Sequence, residues 1–128
     1  MDTTERALAA GIAAAVVGNR VGDISAAIAA VGRAGGVGIN TDQGGHGVGR
    51  EMHEAPSVPN EGRAGRGVPL RAGLVVAIEP WFLAGGSDDY KVDADGWTLR
   101  NADGSRAAHV EHTGAVTEDG PRILTAPR

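Results

Sequence analysis

Apolar positions near the start of the chain fall four residues apart, at Leu8, Ile12 and Val16. That spacing lines one face of an α-helix. Thr3 and Thr4 precede "ERALAAGIAAAVV" as N-cap candidates, Glu5 lies in the first turn, and Gly18-Asn19 ends the run. The helical period returns at Ile24, Ile28 and Val31, with Asp23 as the expected cap and Gly32 to Gly38 as the close. After residue 40 the pattern changes. "GLVVAI" (Gly73 to Ile78) is short and β-branched, hence a strand, and Glu79-Pro80 ends it because proline cannot continue a central strand. "GWTLRNADGSRAAHVEHTGAVT" predicts two strands joined near the Asp103-Gly104 turn, and "RILT" a last short strand. "NEGRAGRGVPLRAG" is a surface loop. Two helices followed by antiparallel strands give an α+β fold class.

Composition bounds this picture. A chain of 128 residues is expected to form one domain, residues 1–128. Its 21 glycines and 3% aromatics leave a light core, built largely from Ala and Val. The net charge of -4 gives no reason to expect nucleic acid as a partner. The absence of cysteine excludes disulfides and thiolate chemistry. No apolar run reaches the ~18 residues of a membrane span. "MDTTERALAAG" lacks the basic start and apolar core of a signal peptide, so a cytoplasmic location is expected.

The candidate chemistry begins in "GGHGVGREMHEAP", Gly44 to Pro56, which holds two of the four histidines. Glycines make a helix there improbable, and on an unbroken strand His46 and His53 would point to opposite faces. They meet at one place only if the chain bends between them, which glycine permits. A glycine loop with two incidental histidines is the competing reading. Glu79 is fixed at a strand end by Pro80. In "AAHVEHT", alternation puts His109, Glu111 and Thr113 on one face and Val110 and His112 on the other. A carboxylate in mid-strand is costly to bury unless paired or metal-bound. Either a solvent-facing polar strand or an imidazole–carboxylate site follows. The latter suits divalent Mn, Fe, Co or Zn.

"GHGVGREMHEAPSVPN", "LRAGLVVAIEP", "DGWTLRNADGSRAAHVEHTGAVT" and "EDGPRILT" together resemble the successive C-terminal motifs of type I methionine aminopeptidases, pita-bread metallopeptidases. "GNRVGDISAAI" resembles the segment before them, so the likeness runs from about Thr3 to Thr125. It implies metal ligation by His46 and Glu79 and bridging of two metals by Glu111. It also implies a substrate hydrogen bond from His53 and an entrance to the methionine pocket lined by Trp97. The implied activity is removal of the N-terminal methionine from nascent peptides. Two metals are bound in the family's complete site; its two aspartates and a further histidine come from an N-terminal half that this chain does not match. Asp2, Asp23 and Asp42 lie outside the matching motifs. The expectation is therefore a C-terminal half of the fold with at most one weakly held ion, a possible need for a separate N-terminal half, and negligible activity alone. The alternatives are a non-catalytic binding module, half of a split enzyme, or, within the family, an Xaa-Pro peptidase; "DGWTL" and "VEHTGAVT" favour the methionine enzyme. His109 departs from the glutamine common in the family and reads as a replacement hydrogen bond, with an extra ligand as the rarer case. Arg63, Arg66 and Arg71 read as a solvated loop, and Asp88, Asp89, Asp93 and Asp95 as turn residues.

Overall fold

The computed structural model describes residues 2–41, 44–86, 88, 90–92, 99–101 and 107–125. The two helices form as expected, with shifted ends. Helix α1 spans Asp2–Ala14 and takes both threonines into its first turn instead of using them as caps. It stops before Val16, where the Asn19 side-chain amide donates to the Ala14 carbonyl at 2.9 Å. Helix α2 spans Val21–Ala34. Asp23 is not its cap but its third residue. There its carboxylate accepts from the backbone N–H groups of Arg20 at 2.7 Å and Gly65 at 2.9 Å. Those two bonds hold its carboxyl below the usual carboxylate range. Asp23 is thereby committed to the helix start, and Asp2 to an exposed pair with Arg6 at 3.4 Å.

Short strands follow: β1 (Gly38–Ile39), β2 (Gly45–Gly47), β3 (Glu54–Val58), β4 (Val75–Ile78), β5 (Trp81–Leu83), β6 (Tyr90–Val92), β7 (Leu99–Asn101), β8 (Ala107–His109), β9 (His112–Thr117) and β10 (Gly120–Ile123). The principal sheet has the order β10-β9-β4-β2-β3, a smaller one has the order β1-β5-β8, and β6 pairs with β7. Every pairing within these sheets is antiparallel. The expected hairpin across Asp103-Gly104 is not how the flanking strands pair. β7 takes β6 as its partner, and β8 takes β5. The turn residues themselves lie outside the described residues.

The helices cover the sheet through a compact apolar layer in which Ile24, Ile28, Ile39, Val58 and Val76 are fully buried. Two glycines let the backbones approach. A Cβ on Gly11 of α1 would crowd Ile28 and Ile78, and one on Gly32 of α2 would strike the Phe82 ring at 2.9 Å. Small residues thus compensate for the scarcity of large ones. The end of α2 is tied down by Arg33, whose guanidinium meets Glu61 at 2.6 Å and Asp88 at 2.8 Å. Asp88 also accepts from the Ile39 N–H at 2.8 Å, so it acts as a structural clamp. Among the described residues, no helix is long and apolar enough to cross a membrane.

Candidate metal centre

His46 sits in the middle of β2, between β3 and β4, opposite Ser57 on one side and Ala77 on the other. The flanking glycines are required by this position. A Cβ on Gly45 would fall onto the Ala77 carbonyl oxygen, and one on Gly47 onto that of Ala55. Only residues without a side chain let β2 lie this close to both neighbours. The register shifts between His46 and Gly47, and the chain then reverses into β3. That reversal is the bend expected from the glycine spacing. It brings the His53 ring to 4.2 Å from the His46 ring, centroid to centroid, at an interplanar angle of 51°. His46 thus lies on a strand, and His53 meets it from the exposed bend that follows.

Glu79 follows β4 directly and precedes Pro80, so its backbone leaves the ladder while its side chain stays 15% exposed. Its Oε2 lies 3.0 Å from His46 Nε2. His46 Nδ1 lies 3.0 Å from the Gly47 carbonyl oxygen, a contact that fits an Nδ1–H donor and leaves the Nε2 lone pair available to a cation. Glu111 completes the group. One ligand atom from each of His46, Glu79 and Glu111 lies within 4.8 Å of the others. The expected face alternation over residues 107–113 needs correction, because β8 ends at His109 and β9 begins at His112. Glu111 lies in this break and is exposed, so the cost of burial falls on Glu79 instead. His109 nonetheless reaches the cluster, with Nε2 at 3.4 Å from Glu79 Oε1. Trp97 and Asp42 lie outside the described residues.

Burial, together with the hydrogen bond and like charge of Glu111, pushes the Glu79 carboxyl up to about 7; His46 opposes the shift. Two carboxylates this close to one imidazole form an electrostatically unfavourable set until a cation joins them. One nitrogen and two carboxylate oxygens suit a divalent ion of the borderline or hard class. The raised pKa has a signed consequence. Between about 4.5 and about 7 the folded, metal-free chain binds more protons than the unfolded one, so its stability falls as pH rises through that window. The expected loss is on the order of 2 kcal/mol. Urea unfolding in a chelator across that range measures it, and Glu79→Gln should flatten the slope. Metal affinity should run the opposite way, rising until the proton has been displaced.

Beside Glu111 an apolar groove of about 670 Å³ opens between Leu8 and Ile12 of α1 and Val110 and Ile123. Sequence patterning gave no sign of it, because Leu8 and Ile12 read simply as core positions.

The fold and this donor set have a counterpart among known proteins. The model of metallopeptidase family M24 matches residues 1–118, and the chain belongs to that family. Within it, the sequence is 53% identical to methionine aminopeptidase 1 of Mycobacterium tuberculosis over 130 residues, covering 97% of this chain and 48% of that protein. The solved methionine aminopeptidase of Thermotoga maritima superposes with a TM-score of 0.94 at 44% identity, over 98% of this chain and 50% of that one. The chain therefore spans about half the length of the relatives it matches, and its fold is about half of their pita-bread fold. The prolidase of Pyrococcus horikoshii shares the fold, with a TM-score of 0.72 at 22% identity, covering 99% of this chain and 30% of that one.

Proposed function

We propose that this chain is the metal-binding C-terminal part of a methionine aminopeptidase that removes the N-terminal methionine of nascent peptides in the cytoplasm. The observation that supports this most is the convergence of His46, Glu79 and Glu111 within 4.8 Å, in a chain 53% identical to a methionine aminopeptidase. In this reading His46, Glu79 and Glu111 would hold the metal, with Glu111 shared with the rest of the complete centre. Co, Mn, Fe or Zn would fit; the described residues offer donors for one. A bound divalent ion supplies a water of lowered pKa and polarises the scissile carbonyl. The protein's own residues do the rest. His53, tilted against His46, would present its imidazole at the reacting carbonyl and stabilise the charge that develops there. By the family resemblance alone, Trp97 is assigned to the entrance of the methionine pocket. With both ions present, Glu111 would take the proton from the attacking water.

The partner is the other half of the pita-bread fold. The groove beside Glu111 supports this, because it leaves apolar surface uncovered next to a ligand that the complete centre shares. A half-chain that works only when completed, or that serves as a binding module, is the second reading favoured by the same groove. The Xaa-Pro peptidase reading has no such support, since the likeness to prolidase is one of fold.

The test is methionine release from Met-Ala-Ser peptides. The chain alone should show negligible turnover. Addition of a separately produced N-terminal half of the Mycobacterium tuberculosis relative should restore it. His53→Ala should then reduce kcat by about two orders of magnitude or more with metal affinity unchanged. Association of the two halves with metal bound but no methionine released would refute the assignment.

A further inference from the structure

His109 has no role in the chemistry above, yet three independent features hold it against Glu79. It is the register partner of Trp81 across the β5–β8 pair. Its ring lies 5.2 Å from the Trp81 ring at 37°. The next residue is pinned as well, because the Val110 N–H donates to the Pro80 carbonyl at 3.3 Å. Together these fix the imidazole beside the residue that precedes Pro80. Its Nε2 is 3.4 Å from Glu79 Oε1, while the other carboxylate oxygen, Oε2, is 3.0 Å from His46 Nε2. The two oxygens of one carboxylate therefore face two imidazoles on different strands.

A monodentate ligand carboxylate needs something to hold its second oxygen, or the group rotates and the ligand oxygen is lost from position. His109 stands where such a donor is needed. It also stays outside the group of donors that lie within 4.8 Å of one another, so it is not placed as a member of the ligand set. We infer that His109 is a positioning residue for Glu79: its Nε2–H donates to Oε1 and so holds Oε2 toward His46. This rests on the metal-centre reading for its purpose, but the hydrogen bond itself is present or absent without metal.

The experiment has a metal-free and a metal-loaded arm, both on the full chain. Long-range ¹H–¹⁵N spectra of the metal-free protein should show His109 in the Nε2–H tautomer, with ring shifts that move in Glu79→Ala. In Co(II) titrations, His109→Ala should weaken binding about 10- to 100-fold. His109→Gln, which keeps an N–H donor, should restore affinity toward wild type with the same Co(II) absorption spectrum. His109→Leu, of similar bulk but without a donor, should not. An imidazole averaged between tautomers and indifferent to Glu79→Ala overturns the inference. So does wild-type Co(II) affinity in His109→Ala. A changed ligand-field spectrum in His109→Gln overturns it too, by making His109 a ligand. Failure of the wild type to bind Co(II) with the Glu79-dependent tautomer intact would count against the metal-centre reading and leave the positioning contact standing.

Discussion

Gly45→Ala is expected to destabilise the chain by about 3 kcal/mol or more, enough to abolish cooperative unfolding in a protein with so light a core. The added methyl would fall onto the Ala77 carbonyl oxygen, a backbone atom that moves only if β2 separates from β4. That separation also withdraws His46 from Glu79, since both are carried by that strand pair. Gly47→Ala should act similarly through β3, where its Cβ would meet the Ala55 carbonyl. Gly49 provides the contrast. Its Cβ would meet only the carboxylate end of Glu54, a flexible group that can swing into solvent. Gly49→Ala should therefore cost under about 1 kcal/mol. Urea midpoints for the three variants test the point. Equal effects at 45 and 49 would mean that glycine flexibility, not strand contact, governs the segment.

Glu79→Gln is expected to separate stability from metal binding. Above pH 7 it should stabilise the metal-free chain, because it removes a partly buried charge held against Glu111. The gain is on the order of 2 kcal/mol. The same substitution should weaken divalent-metal affinity by at least about two orders of magnitude, because a neutral amide oxygen replaces the least exposed carboxylate ligand. Thermal melts with and without metal would show opposite shifts from wild type. A variant less stable than wild type in chelator would mean that Glu79 serves a structural ion pair with His46. The strain at Glu79 would then not be the signature of a cation site.

The parts of this account that were legible in the sequence are those decided locally. Ile24 and Ile28 announce a helix face, Val75 to Ile78 a strand, and Pro80 its end, because period and backbone chemistry act over a few residues. The meeting of His46 and His53 was readable only as a possibility, since glycines permit the bend it needs but do not require it. Long-range choices were not readable. The Asp103-Gly104 turn signal cannot reveal that β8 will pair with Trp81–Leu83 and β7 with β6. The clamp between Arg33 and Asp88 joins residues 55 apart in the chain, and neither carries a local mark of it. Strand β1, of two residues, is too short for any periodicity to register. At Glu111 the period-two rule failed because the ladder breaks between β8 and β9, which exposes the residue that alternation alone would have placed in mid-strand.

The central claim is that His46, Glu79 and Glu111 form a divalent-metal centre. Calorimetric titration of the chain with Mn(II) at pH 7.5, beside His46→Ala and Glu111→Ala, addresses it most directly. One ion bound by the wild type, and binding lost or severely weakened in both variants, is the predicted result. Binding that is absent in the wild type, or unchanged in both variants, would contradict it.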